Sequence, residues 1–380
     1  MGVTVKQRTK GKGQPWWVYI CHQGKRKALK VGDKTAADAV ASKIREQIKT
    51  GALNLAPQKQ IPTFEEYATH WLAGYGETHL KYSTLKSYQS VLKHHLQSSF
   101  APRPLDAITR ADIRELIFTK LKNGYTPNTV AHIKALLSGI LTHALDEGLL
   151  QTNPASRLGK LIKTKERKAD VNPLTREEAK AFLEAMSEHS PRHFPFFLCA
   201  LRTGMRLGEL LGLQWGDIDF HGGFVEVRRA SFKGRLVTPK NGKIRRIDMS
   251  RQLSETLKAL HKERKAEALA KGWGEVPATV FVNEAGRILD GDHLRRRVFK
   301  RTLEKAGLRE IRIHDLRHTF ASMLIQNGES LAYVRDQMGH HSIQITVDTY
   351  GHLVPGANRQ AVDRLDDEIL TTYGQEAGCV

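Results

Sequence analysis

Between Thr63 and Arg157 apolar residues return every three or four positions. Phe64, Tyr67 and Trp71 share one helical face, and Leu85, Tyr88 and Leu92 share another. Ile133, Leu136, Leu137, Ile140, Leu141 and Ala144 make a longer stripe within Thr129–Glu147. Ile113, Leu116 and Ile117 follow Thr109, whose hydroxyl suits a helix N-cap. Gly148 and Asn153-Pro154 end the run. The pattern predicts four helices whose stripes form a common core. Upstream the period changes. Trp16 to Ile20 reads as a strand, Gln23-Gly24 as a turn and Arg26 to Val31 as a returning strand. Thr35 to Thr50 reads as a helix with Ala39, Val40 and Ile44 inward, stopped by Gly51.

Downstream, Thr175 with Glu178 spells a capping box. Phe194 to Trp215 is largely apolar and reads as one helix. Phe224 to Asp248 reads as three short strands turning at Lys233-Gly234 and Asn241-Gly242. Helices are expected from Leu253 onward. Residues 52–62, with Pro57 and Pro62, and residues 157–172, with Lys160, Lys163, Lys165 and Lys168, read as linkers. The expected fold is multidomain α+β: a small N-terminal β-sheet plus helix (1–56), a helical bundle (62–157), a mainly helical domain with a small antiparallel sheet (172–362) and an acidic tail (363–380).

Charge narrows the partners. Lys and Arg total 60 against 40 Asp and Glu, a formal charge of +20 and a pI near 9.8. That excess favours a polyanion, most often nucleic acid. Residues 1–30 alone carry eight Lys/Arg and no acid. No apolar stretch is long enough to span a membrane, and the basic N-terminus lacks the apolar core of a secretory signal. Cys21, Cys199 and Cys379 fit neither a zinc site nor a disulfide framework. A reducing cytoplasm is the expected setting.

The chemistry-bearing residues are dispersed through the last third: Arg206 and Glu209 in Thr203-Gly204-Met205-Arg206-Leu207-Gly208-Glu209, His314 and Arg317 in His314-Asp315-Leu316-Arg317, Gly339-His340-His341, and Tyr350. Negative charge collects on the non-bridging oxygens of a phosphodiester under attack, and two arginine forks can clamp it. Arg206, read within a helix, and Arg317 are the candidates, with Glu209 able to hold the Arg206 guanidinium. His314 can donate a hydrogen bond or move a proton, and His340 or its neighbour His341 can add a donor. His314 and His318 are also spaced as a helical metal pair, but no third ligand follows in register. Tyr350 is the candidate nucleophile. A phenol of ordinary pKa, about 10, needs a base or a strong positive field. The leaving 5′-oxygen needs a proton; Lys240, Lys233 and Lys243 all sit at turns able to supply it. No cofactor or metal is expected.

Together these motifs, with Thr238-Pro239-Lys240-Asn241-Gly242, His318-Thr319-Phe320-Ala321 and Met338-Gly339-His340 through Tyr350-Gly351-His352, resemble the tyrosine recombinases, and the layout is similar to phage-type integrases. The resemblance implies that Arg206 and Arg317 clamp the phosphate, that Lys240 is the general acid, that His314 and His340 are the phosphate-site histidines, and that Tyr350 is the nucleophile. Glu209 stands where the family often has an acid. His340 and Tyr350 are ten residues apart, one more than is common in the family. The resemblance further implies a site-specific DNA recombinase, working through a 3′-phosphotyrosine and a Holliday junction. Its partners would be double-stranded attachment sites, a homotetramer on DNA and accessory DNA-bending or directionality proteins. The setting would be a bacterial nucleoid. The N-terminal domain would bind arm-type DNA and the bundle the core site. The tail would dock on a neighbouring protomer through Leu365, Ile369 and Leu370. Competing readings are a type IB topoisomerase, which the separate basic N-terminal domain disfavours, and a non-cleaving DNA-binding regulator, which would not need this set of residues.

Overall fold

A computed structural model describes residues 2–9, 11, 13–51, 60–162, 171–238, 242 and 244–354. The chain divides into two compact units, 1–163 and 164–380. The first unit contains two separate hydrophobic cores.

The N-terminal core lies between a sheet and a helix. Strands β1 (Gly2–Gln7), β2 (Trp16–His22) and β3 (Lys25–Gly32) pair antiparallel in that order, with Val5 opposite Val18 and Val18 opposite Leu29. Strand β1 is an addition to the sequence reading, although Val3 and Val5 alternate with polar residues as a half-buried strand should. Gln23 and Gly24 both take positive φ (48° and 76°), the turn whose twist suits a two-residue hairpin. Helix α1 (Lys34–Lys49) is capped by Asp33, which accepts from the Ala36 amide at 2.8 Å. Its inward side is Ala37, Ala41 and Ile44, packed with Val18 and Ile20; Ala39, expected inside, is exposed. Basic side chains lie over the sheet's aromatics, with Lys6 Nζ 4.8 Å from the Tyr19 ring and Lys34 Nζ 5.5 Å from that of Trp16.

Four helices build the second core, as the stripes predict. They are α2 (Phe64–Trp71), α3 (Tyr82–Val91), α4 (Arg110–Lys122) and α5 (Pro127–Asp146). The first two continue through wide π-helical turns, Leu72–Gly76 and Leu92–Leu96. Thr63 with Glu66 and Thr109 with Asp112 form capping boxes, and Pro127 occupies the first turn of α5 behind its Thr126 cap. Phe64, Tyr67, Trp71, Leu85 and Leu92 are buried together with the whole α5 stripe.

The second unit is mostly helical around one large core. Helix α6 (Arg176–His189) starts at the Thr175–Glu178 capping box. Helix α7 (Phe194–Thr203) is the apolar centre, where Phe197 meets Phe182 and Phe299 at ring separations of 5.7 and 5.6 Å. The single helix expected from Phe194 to Trp215 is broken. Gly204 ends α7 in the left-handed conformation (φ 58°), and helix α8 (Leu207–Leu211) begins after an extended Arg206. A Cβ on Gly204 would come within 2.5 Å of Phe320, so only glycine fits this stop.

The strand region also differs from the three strands expected. Strands β4 (Ile218–Asp219), β5 (Phe224–Val227) and β8 (Arg245–Asp248) form one antiparallel sheet. Strands β6 (Ala230–Phe232) and β7 (Arg235–Val237) form a separate hairpin across Lys233-Gly234, both with positive φ. Helix α9 (Arg251–Lys271) follows, but residues 272–290 are irregular, touching back through a Gln214–Thr279 bridge and closing on themselves through Val282–Ile288. Helical structure resumes in α10 (Lys300–Lys305), preceded by a π-helical Leu294–Phe299, then α11 (Ile313–Gln326), α12 (Leu331–Met338) and α13 (Ile343–Tyr350). Lys240, Lys163, Lys165, Lys168, Cys379 and the acidic tail lie outside the described residues.

Candidate active site

Two glycine contacts bring α8 onto the β6–β7 hairpin. A Cβ at Gly208 would lie 3.0 Å from the Ser231 carbonyl, and one at Gly212 would lie 2.8 Å from Ala230 backbone. The four-residue spacing therefore presses one face of α8 against backbone and fixes where Arg206 and Glu209 stand. Arg206 is the extended residue before the helix, not a helical residue as the sequence suggested.

Glu209 is the hub. Its carboxylate is 3% exposed and receives Arg245 through both prongs, Nη1 at 3.0 Å and Nη2 at 2.7 Å. The Arg206 amide and Nη1 both donate to it at 2.9 Å. Burial works against its ionisation, but the hydrogen bonds and charge of Arg245, with those of Arg206, win and hold it down to about 2. Arg245 also supports the turn before His340. Its Nε donates to the Gln337 carbonyl at 3.3 Å, and a Cβ on left-handed Gly339 would meet its Cδ at 2.5 Å.

Arg317 ties the separated motifs together. From inside α11 its Nη1 donates to the Gly204 carbonyl at 2.6 Å, and its Nη2 to the Met338 carbonyl at 2.5 Å. Gly204 is two residues before Arg206 and Met338 two before His340. One guanidinium, 3% exposed, thus fixes both approaches. Burial and the charges of Arg206 and Arg245 lower its pKa to about 9, which leaves it cationic at neutral pH.

His314 projects from the first turn of α11 with an exposed edge, its ring 5.1 Å from that of His318. The protein packed around it, then His318, Arg317 and Arg206, lower its pKa to about 4. His340 donates to or accepts from Thr346 at 2.9 Å through Nδ1. Burial and the three arginines lower it to about 4 as well. Both rings are therefore neutral near pH 7, able to donate one N–H each. His341 beside it is exposed.

Tyr350 ends α13 and is 1% exposed. Its ring is parallel to that of His340, 6.5 Å away. Its hydroxyl lies 2.6 Å from Nδ1 of His318. Burial raises the phenol pKa, and Arg317 offsets part of that rise. The sequence reading missed two residues here. Arg245 carried no signal beyond being a basic residue on a strand. His318 did have one, four residues after His314, but the spacing suggested only a metal pair. Among the described residues no three His, Cys, Asp or Glu side chains are grouped to hold a metal.

A tyrosine hydroxyl bonded to an imidazole and acted on by Arg317, which itself lies near Arg206 and Arg245, is an arrangement suited to phosphodiester attack. Comparison with known proteins agrees in family and fold. Residues 162–355 match the Phage integrase family, and residues 63–121 match the phage integrase N-terminal SAM-like domain. The putative prophage phiRv2 integrase of Mycobacterium tuberculosis is 31% identical over 303 residues, 78% of this chain and 76% of that one. The ICEBs1 integrase of Bacillus subtilis is 29% identical over 295 residues, 73% and 76% of the two chains. In fold, the Tn1549 transposon integrase in complex with transposon right end DNA superposes with a TM-score of 0.63 at 20% identity, covering 82% of this chain and all of that one. A lambda integrase tetramer bound to a Holliday junction gives 0.58 at 19%, covering 87% and 92%. The chain belongs to the phage integrase family of tyrosine-type site-specific recombinases.

Proposed function

We propose that Tyr350 attacks the scissile phosphate of a double-stranded attachment site and forms a 3′-phosphotyrosine, releasing a 5′-hydroxyl. Arg206 and Arg317 hold the non-bridging oxygens, His314 and His340 donate to them, and Lys240 protonates the leaving oxygen. Glu209 keeps Arg206 in place. The observation that carries this assignment is the pair of bonds from Arg317 to the Gly204 and Met338 carbonyls. They gather the motifs of Arg206, Arg317 and His340 at one point, with Arg317 acting on the Tyr350 hydroxyl. Preorganised donors of this kind stabilise charge that develops on the phosphate without reorganising in the step itself.

The energy of the broken ester is kept in the phosphotyrosine, so a partner strand's 5′-hydroxyl can reverse the bond. Two such exchanges recombine two sites through a Holliday junction. The lambda integrase tetramer on such a junction, sharing this fold, supports a tetrameric working form for this chain on DNA. Residues 1–56 bind arm-type DNA, residues 62–157 clamp the core site and residues 172–362 catalyse. Accessory bending or directionality proteins complete the assembly at a bacterial nucleoid. Among the described residues no helix is long and apolar enough to cross a membrane.

The test uses a nicked duplex spanning the junction between the element and its flanking DNA, incubated in EDTA. Wild type gives an SDS-resistant protein–DNA band, and Tyr350→Phe gives none while binding the same duplex in a gel shift. A band that survives Tyr350→Phe would move the nucleophile elsewhere.

A further inference from the structure

We propose that His318 is the general base that takes the proton from Tyr350. The proposal rests on the recombinase chemistry set out above and assigns the group that activates its nucleophile. Nδ1 of His318 is 2.6 Å from the Tyr350 hydroxyl, inside the range for direct proton transfer. His314, four residues earlier on the same helix, touches the His318 ring, not the hydroxyl. His340 stacks alongside the Tyr350 ring and directs its Nδ1 to Thr346. Of the three histidines, His318 is the one bonded to the reacting atom.

The surroundings suit a base. Asp315 on the same helix favours the imidazolium, while Arg317 and Arg312 oppose it. His314 on that helix, His340 on the turn before α13 and Tyr350 on α13 are the other titratable groups facing the ring. Burial, the dominant influence, lowers the His318 pKa, so the ring rests neutral with a nitrogen lone pair available. The step uses the tautomer with its hydrogen on Nε2, in which Nδ1 accepts from the phenol.

The step balances. The Tyr350 Oη–P bond forms as the P–O5′ bond breaks. The phenolic proton moves to His318 Nδ1, and the 5′-oxygen takes its proton from the separate acid, Lys240 in the scheme above. On rejoining, the incoming 5′-hydroxyl gives its proton to that acid's conjugate base, and His318 returns its own to the departing tyrosine. Arg317, close enough to lower the phenol pKa, stabilises the phenolate character in between.

The test compares full-length wild type, His318→Ala and His318→Asn on the nicked duplex, each with tyrosine or a ring-fluorinated tyrosine at 350. Fluorine lowers the phenol pKa and so reduces the need for a base. The expected result is a cleavage rate lowered about 10²-fold in both His318 variants, the low end of what a positioned base supplies. Fluorination should restore about tenfold of that in the variants and change wild type little, since Brønsted behaviour ties the benefit of a base to the acidity of the group it deprotonates. DNA affinity and melting temperature should match wild type in at least one variant. Unchanged or faster cleavage in His318→Ala would overturn the assignment and make His318 a clasp that holds the tyrosine back. A loss untouched by fluorination would overturn it too, leaving His318 a packing contact. Absence of an adduct in wild type itself would instead remove the recombinase reading, and this assignment with it.

Discussion

Among the described residues the helical bundle buries no charged side chain, whereas the second unit buries Glu209, Asp217, Arg264, Asp315 and Arg317. Indeed every buried polar or charged side chain among the described residues belongs to the second unit. Burying an ion costs free energy unless it is paired and hydrogen-bonded. The bundle avoids that cost and needs only shape and area. The second unit accepts it and answers each charge: Arg245 and Arg206 on Glu209, Arg229 on Asp217, Glu267 on Arg264, two carbonyls on Arg317, Arg312 on Asp315. Where a fold keeps charges inside against their solvation, its chemistry is the reason to look for.

The difference can be broken most sharply at Arg317. Arg317→Ala should lower cleavage roughly 10²–10³-fold, as loss of one preorganised donor does, while core-site affinity changes far less. Single-turnover cleavage at saturating protein, beside a gel-shift titration, separates the two. Equal losses would reduce Arg317 to a backbone contact.

Arg245 tests whether the charges are interdependent. Arg245→Gln leaves Glu209 buried with Arg206 alone, and breaking such a pair costs roughly 3–5 kcal/mol. The pH signature has a definite sign. In wild type the depressed Glu209 pKa contributes stability that is full above 4.5 and is lost as pH falls toward about 2. Without Arg245 the effect of burial dominates, the pKa rises, and acid unfolding should begin at higher pH. A melting-temperature series against pH showing the same onset in both proteins would deny Arg245 its part in holding that carboxylate.

A smaller effect follows from His314 and His340. Their folded pKa values, about 4, lie below the ordinary 6.5, so between these limits the unfolded chain binds more protons. Stability should therefore fall as pH drops from 6.5 toward 4 and level off below. His340→Gln should flatten that slope in thermal melts of the DNA-free protein; an unchanged slope would mean that His340 keeps its proton in the folded state.

The same contrast decided what could be read from the sequence. The bundle was legible because periodic apolar stripes and the Thr109 cap are local signals, and its core followed them. The dispersed motifs were legible because each carries a distinctive residue order. What brings them together was not. The stop at Gly204 depends on Phe320, more than a hundred residues away, filling the space beside it. The β5–β8 pairing skips the β6–β7 hairpin, and strand order has no local mark. Arg245 gains its importance only when β8 is laid beside Glu209 and Gly339. Ala39 was placed inward by a helix phase slightly in error, which Ala37 and Ala41 correct.

The mildest change tests the other side of the contrast. Thr109 caps α4 by accepting from the Asp112 amide at 3.3 Å, while Asp112 accepts from the Thr109 amide at 2.7 Å and from Arg103 at 2.8 Å. Thr109→Ala removes both bonds of the hydroxyl, the one it accepts from the Asp112 amide and the one it donates to the Asp112 carboxylate at 2.6 Å, and should cost about 1 kcal/mol. That loss should show as faster amide exchange along α4 in the full-length protein. Arg103 still holds Asp112, so the helix start should persist with less protection. Because the bundle contributes no side chain to the chemistry proposed here, cleavage at saturating protein should match wild type. A cleavage defect as large as that of Arg317→Ala would mean that bundle stability and catalytic geometry are coupled, and the division between an apolar scaffold and a charged active unit would fail.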